Sequence, residues 1–369
     1  MKILVCGDFT TTGRGRMFLQ KGVIVDSGIR EHIESADFSI VNLESPVYDG
    51  VYGGISKVGG CLKTTAVTIS YLKSIGFSAV CLANNHFYDY GEYGVKSTID
   101  TLEKYGMQYV GGGIGDTIQK ALMVNNDVAI LNYCESEFSV MNPHCGSNAF
   151  SPVKAFYDIN ELKNKGIKHI IVITHGGHEH YNLPSPRMKE LYRFLIDLGA
   201  DMVINHHQHC FSGMEEYKDK AIFYGIGNFF FDYNLNIKNK KDIWDTGFMV
   251  ELIILDDKLN YNLIPYVQCA DSDCCVKTRD QISFNSDLAK LNEIIADDKK
   301  LENCFMNYVD SQKGNMMAWF APYENRILMA LVRRHLIPSF LTESKKKQIL
   351  NAIRCESHRD VCLRLFQKL

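Results

Sequence analysis

Short apolar runs, each followed at once by polar residues, recur through the first two-thirds of the chain. Four of them are plain, at residues 38–41, 77–82, 170–173 and 202–204. Segments with helical spacing, or the ends of such segments, precede these runs. Short β-rich runs between helices are typical of buried strands in a largely parallel sheet. The pattern therefore predicts an α/β fold.

The clearest predicted helix covers residues 187–198, where apolar residues recur at intervals of three and four. Gly199 follows its last turn, and glycine is a common residue just after a helix ends. A hairpin is predicted at residues 122–131, where Asn-Asn-Asp separates two apolar runs. These local signals support alternating helices and strands.

Helical spacing dominates beyond about residue 280, at residues 285–308, 322–336 and 342–369. We therefore expect an α/β domain over residues 1–275 and a helical C-terminal extension over residues 276–369. The extension is expected to pack on the domain or to contact a protein partner.

Loops that follow parallel strands leave a sheet at one edge, and ligands bind there. Residues 1–5 form a further predicted strand, which brings the number of such loops to five. Each of the five carries residues that can bind a metal ion or transfer a proton. They are Asp8, Glu44, Asn85 with His86, His175, and His207 with His209. We expect these side chains to lie close together.

Six of the 12 histidines fall between residues 175 and 209. Buried neutral imidazoles each need a donor and an acceptor partner, so core filling explains the cluster poorly, whereas a metal ion uses that capacity. His207 and His209 are two residues apart on a predicted extended segment, which would direct both side chains to one side. The alternative is a structural pair of loop histidines.

Asp8, Glu44, Asn85, His175, His207 and His209 are the predicted metal ligands. This set of carboxylate, amide and imidazole groups lacks a thiolate and favours one or two divalent ions of Mn, Fe or Zn. Two ions ~4 Å apart activate water and neutralise charge on a phosphoryl group.

Two further residues are candidates for catalysis. His86 is next to the predicted ligand Asn85, where it would protonate a leaving oxygen. Glu179 is a candidate for a base or an additional ligand, and a loop carboxylate bonded to backbone is the equal alternative.

Composition and net charge indicate which classes of partner this protein is expected to bind. The formal net charge of -3 offers no basic surplus for nucleic acid. No run approaches the ~18 apolar residues of a membrane span, and the N-terminal apolar run is short for a secretory signal. We therefore expect a cytoplasmic protein without membrane insertion, and its 12 cysteines, which include no C-x-x-C, are expected to be reduced.

Six motifs occur in an order that resembles the poly-γ-glutamate capsule-synthesis family (CapA type), whose fold is similar to that of the calcineurin-like metallophosphoesterases. The motifs are Gly-Asp at 7–8, Asn-Leu-Glu-Ser-Pro at 42–46, Ala-Asn-Asn-His at 83–86, His-Gly-Gly-His-Glu-His-Tyr at 175–181, the segment 199–209 ending in His-His-Gln-His, and Tyr-Gly-Ile-Gly-Asn-Phe at 224–229. The resemblance spans about residues 1–270. It implies a four-layer α/β/β/α metallophosphatase-like sandwich and the metal roles given above.

The chain departs from the metallophosphoesterase pattern at several positions. Those enzymes carry a histidine two residues after the first aspartate, whereas this chain has Thr10, so one metal position loses a ligand. Glu44 stands in place of an aspartate, although the capsule family shares the glutamate. Gly176 and Asn205 replace a tryptophan and a glycine of the family. Occupancy by a single metal ion is therefore an alternative to two.

Two functional hypotheses follow. The first is a metal-dependent hydrolase of a small or polymer-linked phosphoester, or of a γ-glutamyl amide, in capsule or cell-surface polymer biosynthesis. The second is a non-catalytic metal-binding accessory protein of polymer synthesis. Thr10 favours the second, and the otherwise intact ligand series favours the first. Fold alone does not decide between them.

Overall fold

The computed structural model describes residues 1–12, 15–22, 24–140, 142, 144–232, 243–269, 275–320, 327, 331, 336 and 342–367. Its strands are β1 (Lys2–Thr10), β2 (Phe38–Leu43), β3 (Ala79–Cys81), β4 (Gln108–Val110), β5 (Gly112–Ile114), β6 (Leu122–Met123), β7 (Val128–Cys134), β8 (Cys145–Ser147), β9 (His169–His175), β10 (Met202–His206), β11 (Met214–Tyr217), β12 (Lys220–Phe223), β13 (Asn228–Phe231), β14 (Thr246–Leu255), β15 (Lys258–Val267) and β16 (Lys277–Thr278). Its helices are α1 (Gly15–Lys21), α2 (Ser27–Glu34), α3 (Ala66–Ser74), α4 (Gly91–Lys104), α5 (Pro152–Asn164), α6 (Pro186–Leu198), α7 (Gln281–Ala296), α8 (Asp298–Phe320), α9 (Glu343–Arg354) and α10 (Glu356–Gln367).

Two large sheets are formed. The first has the strand order β16-β15-β14-β1-β2-β3-β4, and β13 also pairs with β1. The second has the order β11-β12-β10-β9-β7-β6. Strands β1 to β4 are mutually parallel, as are β7, β9, β10 and β12. Each sheet therefore gathers several carboxyl-terminal strand ends along one edge.

Alternation along the strands divides the core into layers. In β1, Ile3 and Val5 belong to an apolar cluster shared with the second sheet, whereas Leu4 and Cys6 face the cluster covered by α2, α3 and α4. The outer face of the second sheet packs under α5, α6 and α8. The order of layers is therefore α/β/β/α, and this prediction is confirmed.

The predicted helix at 187–198 is α6, and its ends follow the sequence signals. Ser185 caps the first turn by accepting a hydrogen bond from the backbone N–H of Met188, and Pro186 occupies the first turn. Gly199 ends the helix with a φ of 118°, in the left-handed region that glycine adopts most readily. The hairpin predicted at 122–131 is also confirmed, because β6 pairs antiparallel with β7.

The C-terminal helices pack as an outer layer on the second sheet. Leu301 and Phe305 of α8 and Val361 of α10 join the apolar cluster beneath α6. The first sheet extends through β16, just beyond the predicted boundary at residue 275. The helix predicted at 322–336 lies outside the described residues, apart from 327, 331 and 336. None of the helices described is long and apolar enough to cross a bilayer.

A buried ionic network joins α10 to the domain. Glu135, directly after β7, accepts hydrogen bonds from Arg187 (2.8 Å), from the backbone N–H of Gly177 (3.2 Å) and from the Ser357 hydroxyl. Arg187 also pairs with Asp360 of α10. Burial acts to raise the pKa of Glu135, but Arg187 and the hydrogen bonds outweigh it and hold the pKa at about 2.

Replacing Arg187 by alanine leaves the Glu135 and Asp360 carboxylates near one another without their shared cation. We expect the free energy of unfolding to fall by about 3 kcal/mol, measured by urea denaturation. Arg30→Ala is the control, because Arg30 pairs with Glu34 on the exposed surface of α2, where solvent screens the pair, and its loss should lower the free energy of unfolding far less. Equal losses in the two variants would contradict a structural role for the network.

Candidate metal centre

All six predicted metal ligands meet where the two sheets adjoin. Asp8 and Glu44 come from the ends of β1 and β2 in the first sheet, and Asn85 follows β3. The second sheet contributes His175 at the end of β9, and His207 and His209 just after β10. Each sheet therefore supplies part of the set, and the sandwich interface completes it.

One group of side chains surrounds the Nε2 atom of His175. Asn85 Oδ1 lies 3.0 Å from this nitrogen, His207 Nδ1 lies 3.1 Å away and Glu44 Oε1 lies 3.7 Å away. We call these four residues the first pole. An imidazole nitrogen, an amide oxygen and a carboxylate oxygen around one point form a typical divalent-metal ligand set.

Asp8, Glu44 and His209 form a second pole. Nδ1 of His209 lies 3.5 Å from Asp8 Oδ2, and its Nε2 lies 3.6 Å from Glu44 Oε1. Asn228 Oδ1, 2.9 Å from His209 Nδ1, fixes the ring orientation. With Nδ1 engaged, Nε2 is the nitrogen available to an ion. Glu44 Oε1 takes part in both poles.

Glu44 is the least satisfied polar group of the centre. Its side chain is fully buried, and neither carboxylate oxygen has a hydrogen-bond partner among the residues that the structure describes. Burial, followed by the charges of Asp8 and Glu179, raises the pKa of this carboxyl well above its usual range. A buried carboxylate is costly unless a cation or donor compensates it. The residues present therefore fit a divalent ion.

Two asparagines that the sequence analysis gave no role organise the ligands. Asn42 Nδ2 donates to Asp8 Oδ1 (2.7 Å) and lies 3.2 Å from His175 Nδ1. Asn84 Nδ2 in turn donates to Asn42 Oδ1 (3.2 Å). The contact between Asn42 and His175 Nδ1 orients the His175 ring so that Nε2 faces the first pole. The available signal was the position of both asparagines in the polar motifs that end predicted strands, at 42–46 and 83–86.

The backbone at the last two histidines differs from the prediction. Strand β10 ends at His206, and His207 and His209 have φ angles of 87° and 57° instead of an extended conformation. Left-handed backbone is uncommon for residues other than glycine and often marks functional sites. The prediction of an extended segment was wrong. A tight turn, held by the His207 N–H donating to Asp8 Oδ2 (3.1 Å), brings the rings together.

Thr10 is buried and forms a hydrogen bond with the Ser45 hydroxyl at 2.9 Å. Its hydroxyl is thus engaged with a neighbour that belongs to neither pole. The second pole consequently relies on Asp8, Glu44 and His209. The first pole has four residues and the second has three. This difference agrees with the prediction that Thr10 leaves one metal position without a ligand.

His86 lies beside the first pole with its Nδ1 atom 2.6 Å from Asp89 Oδ2. Lys57, almost fully buried, pairs with Asp89 and approaches His86 Nδ1 at 3.1 Å. Burial and the Lys57 charge lower the pKa of His86, and Asp89 opposes them. Sequence reasoning missed Lys57, because it comes from a loop without a recognisable motif.

Glu179 is exposed at the rim of the centre, where its carboxylate groups with His207 and His209 within 4.8 Å. Desolvation acts to raise its pKa, but the nearby imidazoles outweigh this and hold the pKa at about 2. The carboxylate is therefore ionised. Its role as base or ligand stays a prediction.

The other histidines of the cluster contact different groups. His178 packs between Phe305 and Tyr308, with ring centroids 5.3 and 5.2 Å away. His206 Nε2 lies 3.1 Å from the Cys6 carbonyl oxygen, and the His180 ring lies 5.2 Å from Trp244. None of these contacts is a hydrogen bond to a predicted ligand side chain.

The chain matches the family model described as bacterial capsule synthesis protein PGA_cap over residues 2–233, and it belongs to this family. It is similar to the capsule biosynthesis protein CapA of Bacillus anthracis, with 31% identity over 216 residues that cover 55% of this chain and 53% of that protein.

Other relatives extend this likeness. The PGA biosynthesis protein CapA of Bacillus subtilis (strain 168) is 32% identical over 207 residues, which are 54% of each chain. A probable polyglutamine synthesis accessory protein of Mycobacterium tuberculosis (strain ATCC 25618 / H37Rv) is 25% identical over 218 residues, 54% of this chain and 57% of that protein. The chain thus spans about half the length of the curated relatives it matches.

Glu44→Gln should stabilise the metal-free protein while weakening metal binding. Burying the Glu44 carboxyl costs free energy whether it stays charged or takes up a proton, and a neutral amide avoids this cost, so we expect unfolding in chelator to require about 1 kcal/mol more than in the wild type. Added Mn²⁺ should raise the melting temperature of the wild type but not that of the variant. The measurement is thermal and urea unfolding with and without Mn²⁺.

Glu343→Gln serves as the control, because Glu343 is an exposed carboxylate in the first turn of α9. It should change neither the stability in chelator nor the response to Mn²⁺. A loss of stability in metal-free Glu44→Gln would show that the Glu44 carboxylate is already satisfied in the folded protein.

Proposed function

We propose that this protein is a metal-dependent phosphoester hydrolase that acts in capsule or cell-surface polymer synthesis. The observation that carries the proposal is Glu44, a buried carboxylate that has no hydrogen-bond partner in the described part of the chain and takes part in two ligand groups. His86 stands beside these groups with a carboxylate on one ring nitrogen. This arrangement supports hydrolysis better than simple ion storage, because it pairs a metal centre with a proton carrier.

In this proposal each pole would hold a divalent ion of Mn, Fe or Zn, and Glu44 would contribute to both. Asn85, His175 and His207 complete the first pole, and Asp8 and His209 complete the second. When bound, such ions activate water and neutralise the charge of a phosphoryl group. Asn42 and Asn228 keep the ligand nitrogens of His175 and His209 directed at the poles.

His86 is the proposed general acid. Asp89 accepts from Nδ1–H and so fixes the ring, and Nε2 of the protonated imidazole carries the proton to be delivered. Burial and Lys57, which lower the pKa of His86, make this imidazolium a stronger acid. In the reaction, water attacks phosphorus and its proton passes to the Glu179 carboxylate, while the bond from phosphorus to the leaving oxygen breaks and the Nε2 proton of His86 passes to that oxygen. Lys57 balances the Asp89 charge and lies next to the same ring. Glu179, ionised at the rim, can complete the ligand set or accept a proton.

The substrate class is a small or polymer-linked phosphoester. The relatives named for capsule and PGA biosynthesis support a place in polymer metabolism. A γ-glutamyl amide is the alternative substrate for the same residues, since a metal ion also polarises an amide carbonyl. Parallel assays with a phosphomonoester, a phosphodiester and a γ-glutamyl anilide distinguish these classes.

A second candidate function is a non-catalytic, metal-binding accessory protein. Thr10 favours it, because the hydroxyl bonds to Ser45 and leaves the second pole with fewer ligands. The name of the mycobacterial relative includes the word accessory, which also fits this reading. Such a protein binds metal ions without metal-dependent turnover.

The test combines elemental analysis of metal per chain with Mn²⁺-dependent cleavage of para-nitrophenyl phosphate and its bis-ester. His207→Ala and Asp8→Asn should each lower kcat/KM by roughly 100-fold or more, because each removes a ligand of a pole. His32→Gln, on helix α2, is the matched histidine control and should retain full activity. Bound metal without metal-dependent turnover would favour the accessory function, and equal activity in His207→Ala would refute the site.

The role of His86 as a general acid can be tested by comparing two esters with different leaving groups. His86→Gln should retain the wild-type metal content and lose roughly 100-fold in kcat on phenyl phosphate, whose leaving oxygen needs a proton. The loss on para-nitrophenyl phosphate should be much smaller, since that leaving group departs as a stable anion. Equal losses on both esters would indicate a positioning role for His86 instead of proton transfer.

A further inference from the structure

A second group of metal-binding side chains lies outside the candidate metal centre, between the loop after β7 and the C-terminal helices. It consists of Glu137, Cys355 and His358, whose ligand atoms all lie within 4.8 Å of one another. Glu137 and Cys355 are buried, and His358 is partly buried. None of the three belongs to either pole.

The junction between α9 and α10 brings the group together. Asn351 lies in the last turn of α9 and His358 in the first turn of α10, and Cys355 stands between the two helices with an extended backbone (ψ of 122°). Cys355 is the junction residue, and its backbone N–H donates to the Asn351 carbonyl oxygen at 2.9 Å. The opposite side comes from Glu137, far away in the sequence.

Contacts of the two residues just before Glu137 hold the loop against α10. The Ser136 N–H donates to the Glu356 carboxylate at 3.0 Å, and the Ser357 hydroxyl donates to the Glu135 carboxylate. The three ligand atoms are thus positioned by hydrogen bonds that do not involve them. Prior positioning of this kind is what a metal site needs from its supporting residues.

An unsatisfied polar atom gives an independent indication. Asn351 is 3% exposed, and its Oδ1 atom has no hydrogen-bond partner among the described residues. Its Nδ2 atom lies 2.9 Å from His358 Nδ1, so the amide adjoins the group. A half-turn of the amide exchanges the two atoms and directs the oxygen at the ligands. The buried oxygen then gains a partner if an ion is present.

The chemistry of the donors selects the ion. One thiolate, one imidazole and one carboxylate are ligands of tetrahedral Zn²⁺, and the fourth position falls to the Asn351 oxygen or to water. A Glu137 carboxylate and a Cys355 thiolate together balance the charge of the ion. Binding converts the thiol to a thiolate, and its proton passes to solvent.

We propose that Glu137, Cys355 and His358 form a zinc site that fastens the α9–α10 helix pair to the α/β domain. The site is independent of the proposed hydrolase activity. Its role is structural, because all three ligands come from the segments that it joins. Through Glu135, which also bonds Gly177, the site supports the loop that carries Glu179.

Cobalt substitution tests the proposal on the full-length protein. Co²⁺ bound by a thiolate absorbs in the near ultraviolet through sulfur-to-metal charge transfer, and the two poles contain no cysteine. We expect one such band at one equivalent per chain. It should disappear in Cys355→Ser and in the presence of competing Zn²⁺. It should persist in Cys304→Ser, a cysteine control on α8, and in Asp8→Asn, which alters the candidate metal centre and none of the three zinc ligands.

His358→Gln is a second test variant. Because His358 is partly exposed, its substitution should disturb folding less than substitution of the buried Cys355. We expect this variant to keep its circular dichroism spectrum and to bind Co²⁺ at the thiolate site roughly tenfold or more weakly. Absence of the band from the wild type, its survival in Cys355→Ser, or unchanged affinity in His358→Gln would each overturn the proposal. Loss of phosphatase activity in Asp8→Asn with the band retained would separate the two sites.

Discussion

The burial of Glu44 between two sheets is the constraint on which the centre depends. Its carboxylate has no hydrogen-bond partner among the described residues, yet it is closed off from water by ligands that come from both halves of the sandwich. Asp8 and Asn42 arrive with the first sheet, and His175 and His209 arrive with the second. A cation bound between them would compensate the carboxylate and link the two sheets, so the free energy of metal binding would also favour sheet packing.

The strand ends and their polar residues could be predicted from the sequence, because buried parallel strands have a strong local pattern. The same is true of α6, whose Ser185 and Gly199 mark its ends. The left-handed backbone of His207 and His209 could not be predicted, since it depends on the bond from the His207 N–H to Asp8, far away in the chain. Lys57 was missed for the same reason, because its partner Asp89 is a long-range contact.

The C-terminal helices take part in the same architecture as the strands. Phe305 of α8 packs beside His178, and Glu135 connects α10 to the loop after β9. Sequence periodicity predicted these helices but not where they dock, since docking is decided by buried partners such as Arg187 and Asp360. Residues far beyond the last capsule-family motif thus pack against the loop that follows the predicted ligand His175.

The division of the ligands between the sheets also affects biosynthesis. The ribosome synthesises Asp8, Glu44 and Asn85 well before His175, His207 and His209. Neither set forms a complete pole without the other. A nascent chain therefore lacks the complete candidate ligand set until the second sheet has been translated, and binding of an ion by that set would have to follow. A chain truncated ahead of β10 retains its carboxylates but forms neither pole.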